Sequence, residues 1–396
     1  MAFVKYFIFC FFTSITYSQI SFFKKLINEE SDRAEGAVQL PDSSYLITGS
    51  SSSYLPSNKQ CFILKIDSLG NVKWSKDYGG SEADKGRRIF YVPNDGVYVF
   101  GQTNSFGANF FDIYVFKTDF EGNLLWENII GGVGYEDIYD AVILKDTSFI
   151  LVGESTSNSN EDENVYILRV NRFGQKIWDK NIDNYGVDRA MSIKMYNDTT
   201  AFIVGESYQN VWQKTFGFLS KMHINGTIDW TKYYENKDKL VFNDMNIKND
   251  TIRIAGYTKD YFENEHKNLY LSSHDINGET ILINIEYRYY AVSCEFIENY
   301  ENDFLILRAM EGEAEFIYNY GLDAKAYRYN GDLYFLSVYF DLSYLYEDVI
   351  NDVISTSDGG ILYVGYATNP YDGGENVLIM KIAKGNNFQS YISRNL

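Results

Sequence analysis

The sequence predicts an all-β fold: a seven-bladed β-propeller of four-stranded antiparallel blades, closed by an N-terminal strand that supplies strand 4 of the last blade. Three observations carry that expectation. The first is a glycine that recurs at Gly49, Gly101, Gly153, Gly205, Gly256 and Gly365, with Ala309 standing in once, at steps of 52, 52, 52, 51, 53 and 56 residues. A fixed period of this size marks a repeat architecture. The second is that Trp74, Trp126, Trp178 and Trp230 keep the same step, continued by Leu282 and Phe335, beside turn glycines Gly70, Gly122, Gly174, Gly226, Gly278 and Gly331. The third lies at the termini. Phe22 precedes Gly49 by 27 residues, as Trp74 precedes Gly101, so residues 21–27 have the register of a fourth strand with no first three ahead of it. Residues 388–392 fall at the fourth-strand spacing of the last copy and compete for the same place.

Each copy reads as four strands. In the second, residues 87–92, 97–101, 112–118 and 124–129 are rich in Val, Ile, Tyr and Phe and are bounded by Gly, Asn and Asp, the pattern of half-buried antiparallel strands. Asp42, Asn94, Asp146, Asp198, Asp250, Asp303 and Asp358 occupy the turn between strands 1 and 2, where such side chains bond their own backbone. The turn between strands 3 and 4 takes the glycine series, which supplies a positive φ. Closing such sheets into a ring removes their exposed edges. The expected organisation is a signal peptide over residues 1–18, then one domain over 19–396 with about 52 residues per blade, residues 19–27 being the closing strand.

The repeated residues suggest roles. The four strand-4 tryptophans are expected between neighbouring blades, each burying about 200 Å². Lys65, Lys117, Arg169, Lys221 and Lys381 recur before them and are expected at the rim, stem packed and charge in water. Asp32, Asp84, Asp137, Asp188 and Asp348 come just before strand 1. Their preferred reading is bonding to backbone N–H groups of the next blade, and the sharper one is a ring of carboxylates near the channel holding a metal cation. The connections from strand 2 to strand 3 are the long, variable ones, and binding residues concentrate on such loops. Trp212 is the tryptophan outside the strand-4 series; with Tyr54, Phe106, Phe110, Tyr208, Tyr261, Phe262 and Tyr371 it forms a candidate ligand-binding face suited to sugar rings or a protein partner.

The run Tyr78-Gly79-Gly80-Ser81-Glu82-Ala83-Asp84, followed by Gly96-Val97-Tyr98-Val99-Phe100-Gly101-Gln102-Thr103 and residues 112–118, resembles the bacterial seven-bladed β-propeller repeat called the SBBP repeat. Copies two to four match best; residues 237–340 depart from the pattern, with Ala309 for glycine and Leu282 and Phe335 for tryptophan. The resemblance implies a propeller of secreted or envelope type and no particular reaction. Gly70-x-x-x-Trp74 is also similar to half of the quinoprotein tryptophan-docking repeat, but Asp67 stands one residue too close to the glycine, which points to a shared packing device rather than a quinone. Asp67 and Trp74 miss both spacings of the sialidase-type Asp box, which disfavours a glycoside-hydrolase reading.

Composition sets compartment and partners. Lys5, the apolar residues 6–12 and Thr16-Tyr17-Ser18 before Gln19 read as a secretory signal peptide, so a secreted, periplasmic or cell-surface product is expected. Against 35 basic side chains stand 54 acidic ones, a formal net charge of −19, which disfavours nucleic acid as a partner. No second apolar run has the length of a membrane span, and Cys61 and Cys294 are a whole blade or more apart, so neither a transmembrane segment nor a disulfide is expected. No phosphate loop, dinucleotide fingerprint or nucleophile elbow is present, and His223, His266 and His274 lack zinc-ligand spacing. The expectation is a monomeric binding or structural scaffold without cofactor, with a glycan or protein partner; the competing class is a carbohydrate-active enzyme with carboxylates at the channel mouth.

Overall fold

A computed structural model describes residues 20–26, 31–51, 60–106, 110–157, 162–182, 186–260, 264–286, 292–300, 303–311, 322–329, 335–341, 348–368 and 374–382, with side chains for all but Ile20, 260–266 and 286–348. The described elements are all strands, as short alternating runs cut by Gly, Asn and Asp dictate. β1 (Ile20–Leu26) comes first. Quartets follow: β2 (Asp32–Gln39), β3 (Tyr45–Ser51), β4 (Gln60–Ile66) and β5 (Val72–Tyr78), then β6 (Asp84–Val92), β7 (Gly96–Thr103), β8 (Asp112–Thr118) and β9 (Leu124–Ile130). The next two are β10 (Glu136–Ile143), β11 (Phe149–Ser155), β12 (Asn164–Val170) and β13 (Lys176–Ile182), and β14 (Asp188–Met195), β15 (Thr200–Gln209), β16 (Lys214–His223) and β17 (Ile228–Tyr234). After these come β18 (Lys239–Lys248), β19 (Thr251–Asp260), β20 (Asn264–Asp275) and β21 (Thr280–Glu286), and β22 (Val292–Tyr300), β23 (Asp303–Glu311), β24 (Leu322–Tyr329) and β25 (Phe335–Asp341). The chain ends its described part with β26 (Asp348–Ser355), β27 (Ile361–Thr368) and β28 (Glu375–Ile382).

Within a quartet the strands lie in chain order and run antiparallel, and the last three take β1 as their fourth. β1 pairs with β28 from Ile20↔Ile382 to Leu26↔Val377, the place its sequence register assigned. The competing segment, 388–392, lies outside the described residues. The quartets β14–β17 and β18–β21 are joined into one sheet by a single parallel pair, Thr215↔Lys239. First strands touch in succession, β2 with β6, β6 with β10 and onward to β22 with β26, and β26 touches β2.

The cores lie between quartets. Ile63, Tyr78, Val99 and Phe116 pack between the first and second, and Phe100, Ile113, Phe149 and Leu168 between the second and third. Phe22, Leu26, Ile47, Leu64 and Ile379 pack between the last and the first. Each strand-4 tryptophan sits at such a boundary, against the turn glycine of the next quartet. A Cβ on Gly122 would stand 2.8 Å from the Trp74 ring, and Gly174, Gly226 and Gly278 meet Trp126, Trp178 and Trp230 in the same way. Phe22 takes this part for β1, against Gly70. The tryptophan and glycine repeats are therefore two sides of one contact.

The leading glycine repeat has its own cause. Every first strand slips its ladder by one residue, between Ala34/Gly36, Gly86/Arg88, Ile138/Asp140, Ala190/Ser192, Phe242/Asp244, Cys294/Phe296 and Ile350/Asp352. Such a bulge pushes one peptide out of the ladder. On the rungs just before these bulges, the carbonyls of Arg33, Lys85, Asp137, Arg189, Val241 and Val349 fill the space that a Cβ on Gly49, Gly101, Gly153, Gly205, Gly256 and Gly365 would need.

One expectation is corrected here. Lys117 and Lys381 are 7% and 2% exposed rather than hydrated at the rim. Their ammonium groups turn inward to the strand 1–2 turn, Lys117 Nζ lying 2.7 Å from Asp95 and Lys381 Nζ 2.9 Å from Asp358, while Arg169 reaches Asp146 at 2.8 Å. A buried cation persists where a carboxylate offsets its lost hydration.

Candidate functional site

In register, the residue that follows each bulge is Gly36, Arg88, Asp140, Ser192, Asp244, Phe296 and Asp352. The described side chains among them form a polar ring. Arg88 Nε donates to Asp140 Oδ1 at 3.0 Å, and the Ser192 hydroxyl lies 3.0 Å from Asp140 and 2.6 Å from Asp244. Lys194 Nζ lies 3.2 Å from Asp140 and 3.4 Å from Asp244. Asp140 also accepts from the Ile193 N–H at 3.0 Å, and Asp352 accepts from the Ala37 N–H at 2.8 Å, so two of the ring's aspartates cap the backbone of the following quartet. Burial opposes ionisation of Asp140, but Lys194 and Arg88 outweigh it and hold the carboxyl below its ordinary range. At Asp352 burial prevails over Arg88 and lifts the carboxyl to about 6.

Nearer the loops a second belt continues along the same strands. Lys85 Nζ lies 2.6 Å from Glu35, Arg87 bridges Glu35 and Asp137, and the Arg87 guanidinium stands 5.3 Å over the Tyr139 ring. The Tyr139 hydroxyl donates to Glu154 at 2.7 Å. Arg189 reaches Glu154 at 2.5 Å, Glu206 at 2.9 Å and Glu163, and Lys239 reaches Glu206 at 2.7 Å. Arg33 pairs with Glu375. Carboxylates and cations alternate through this belt, so its charges serve each other. Replacing Arg88 by Met should leave Lys194 alone to offset Asp140 and Asp244 and cost about 3–5 kcal/mol in urea-monitored unfolding; a loss below about 1 kcal/mol would show the Arg88 contact to be dispensable.

The aspartate series divides. Asp84 Oδ2 accepts from the Gly80 N–H and Ser105 hydroxyl, both at 2.8 Å, and Oδ1 accepts from Thr103. Its register equivalent in the third quartet is Glu136, which pairs with Ser155 as Asp84 pairs with Thr103, and not Asp137, which lies one residue on with Arg87 and Tyr135. That assignment is corrected, because a one-residue shift in a strand reverses the face. Asp32 and Asp188 begin β2 and β14 and are buried; the side chain of Asp348 lies outside the described residues. Among the described residues no group of three or more His, Cys, Asp or Glu side chains is placed to hold a metal ion.

Of the aromatic candidates, Trp212 is 67% exposed, Phe110 57% and Phe106 43%, while Tyr208 is half-buried against Gly186. Tyr54, Tyr261, Phe262 and Tyr371 lie outside the residues whose side chains are described. Trp212 sits at the tip of a hairpin whose two strands, β15 and β16, pair without a bulge from Thr200↔His223 to Gln209↔Lys214. The tip closes through Trp212 N–H to Gln209 C=O at 3.0 Å, leaving Val211 87% exposed beside Trp212. One rung below the tip pair Gln209↔Lys214, the Thr215 N–H donates to Asp238 C=O at 3.1 Å, tying the hairpin to the next quartet.

The Arg88–Asp140–Ser192–Asp244 network was not singled out from the sequence. Arg88, Asp140, Ser192 and Asp244 do follow each other at a 52-residue step, but their identities differ, so periodicity of position was the available signal.

No protein-family model matches the sequence, and no curated protein does. Solved structures do. The extracellular domains 1–2 of Drosophila Semaphorin 1a superpose with a TM-score of 0.53 at 10% identity, covering 91% of this chain and 87% of that one. Sqt1 from Chaetomium thermophilum gives 0.52 at 9% identity over 90% and 98%. The β-propeller domain of the Trilobed protease from Pyrococcus furiosus gives 0.50 at 10% identity over 93% and 100%. At these identities the likeness is one of fold, and the chain is an all-β protein of β-propeller type.

Proposed function

We propose that the protein is a secreted or envelope scaffold, a closed propeller of seven blades, that binds a glycan or protein partner on its loop face. The β1–β28 pairing and the contact of β26 with β2 support closure of the ring. The motifs shared with the SBBP repeat and the leader-like residues 1–18 support the envelope setting. One observation carries the binding reading: a bulge-free hairpin, tied to the next quartet just below its tip, holds Trp212 and Val211 out to solvent. A rigid scaffold that presents an indole on a short tip loses little side-chain freedom on binding, which is why such aromatics dominate interface energetics. The competing enzyme reading asks for free carboxylates at the channel mouth, whereas Asp137, Glu154 and Glu206 are engaged by arginines and lysine there.

Trp212→Ala should lower capture in a glycan-array or pull-down screen by about tenfold or more while leaving the unfolding free energy within about 0.5 kcal/mol. Unchanged capture of every ligand held by the wild type would remove the hairpin from the binding face.

A further inference from the structure

The first two crossovers between quartets each carry a pair of residues, one opening the third strand of the earlier quartet and one opening the first strand of the later. At the first crossover these are Gln60 and Asp84. Gln60 Nε2 donates to Gly80 C=O at 2.9 Å and to Glu82 C=O at 3.2 Å, and Asp84 accepts from Gly80 N–H. At the second crossover the same positions, 52 residues on, hold Asp112 and Glu136. Glu136 does what Asp84 does: it accepts from Gly132 N–H at 2.9 Å, from the Ser155 hydroxyl at 2.7 Å and from Ser157. Asp112 replaces the amide donor with a carboxyl. Its Oδ1 and the Glu136 Oε2 flank the point where a Cβ on Gly131 would stand, so the two carboxyls face one another across a glycine that leaves them room.

We propose that Asp112 and Glu136 form a proton-operated clamp on the loop face, shut while they share one proton and released when both are ionised. With Asp112 protonated, its O–H donates to Glu136, and one carboxylate then ties together the start of β8, the 131–135 crossover and the β11–β12 connection. The crossover is also sewn to that connection by Gly134 N–H to Ser157 Oγ at 2.9 Å and Tyr135 N–H to Thr156 Oγ1 at 2.8 Å. Among the described residues Tyr166 on β12 is a further titratable group beside Glu136, its hydroxyl donating to Asp179 at 3.0 Å, and the Ser155 and Ser157 hydroxyls and the Gly132 N–H bond Glu136 directly. Burial and the adjacent Glu136 carboxylate lift Asp112 to about 6. The folded chain thus keeps a proton that the unfolded chain releases near its ordinary value of 3.8, and the stabilisation it brings is lost as pH rises through about 6. Two ionised carboxylates at this spacing repel, which frees the loop carrying Val133, itself 79% exposed. The inference does not rest on the binding reading.

Amide hydrogen exchange of the 131–135 crossover in the full chain tests it. In the wild type, protection of Gly132 and Gly134 should fall by about ten- to a hundredfold as pH rises through the Asp112 range, after correction for intrinsic exchange. Asp112→Asn, which donates an amide N–H at every pH, should hold protection high and level, and Glu136→Gln should do the same by a different route if the first variant folds poorly. An unchanged wild-type profile, or an equal fall in both variants, would overturn the clamp. So would protection restored at high pH by millimolar calcium, since a bridging cation rather than a proton would then be the operator.

Discussion

Gly101→Val should abolish cooperative folding or cost about 5 kcal/mol or more, well above an ordinary surface change. The Cβ it introduces would lie 2.8 Å from the Lys85 carbonyl carbon and 2.9 Å from Gly86 Cα, nearer still to the Lys85 oxygen, and all three are backbone. A side chain can rotate away from a clash, but this peptide belongs to the paired residues Lys85 and Gly86 directly before the bulge between Gly86 and Arg88, so relief would require shifting the ladder and the bulge with it. Undoing the bulge would carry Arg88 away from Asp140 and cost that contact as well. The sixth quartet departs from the repeat: Arg308, not Ala309, stands opposite Cys294, the last residue before its bulge, while Ala309 faces Ser293 one rung away, so Ala309→Gly should be tolerated. Urea titration by fluorescence checks both, and a Gly101→Val protein that unfolds at the wild-type midpoint would refute this account of the repeat.

Deleting residues 20–26 should lower the melting temperature by about 10 °C or more and promote self-association. The loss removes Phe22 and Leu26, each 8% exposed in the core shared by the last and first quartets, and strips the hydrogen-bonding partner from β28. Burial of two such side chains stabilises by about 3–6 kcal/mol. The bared edge of β28 then offers unpaired backbone to a second molecule. Phe22→Ala separates packing from pairing: it empties the space against Gly70 while leaving the ladder intact, and should cost about 3–5 kcal/mol. Calorimetry with size-exclusion chromatography reads both effects, and a deletion that melts where the full chain does would mean that β1 contributes nothing to the ring.

Both predictions trace back to features visible as letters, which shows how legibility was distributed. Periodicity located the strands, the turns and the closing segment because each copy must meet the same neighbour in the same way. Trp74 needs a glycine beneath it at Gly122, and Gly101 needs the room taken by a bulged carbonyl, so selection for those contacts stamps one residue type at a constant step. The candidate site is the opposite case. The axial positions recur at the same step but hold Arg88, Asp140, Ser192 and Asp244 in turn, because a ring of charges is satisfied by complementary partners and not by repetition. Whether Asp137 or Glu136 faced the crossover depended on one residue of register, which two adjacent acids leave ambiguous in the sequence.

What the amino-acid order determined by itself was therefore everything that rests on local and identical contacts: strand after strand, tight turns, the interlocking of indole with glycine, and the N-terminal segment as partner for the last sheet. What only the tertiary structure decided was which charges meet. Lys117 and Lys381 were drawn inward by turn aspartates, Asp137 and Glu154 were matched with arginines from neighbouring quartets, and Asp112 was set against Glu136 across Gly131. The physical reason is that an ionic or proton-sharing pair is defined by distances between segments far apart in the chain, and those distances exist only after the bulges have turned each first strand toward its neighbours.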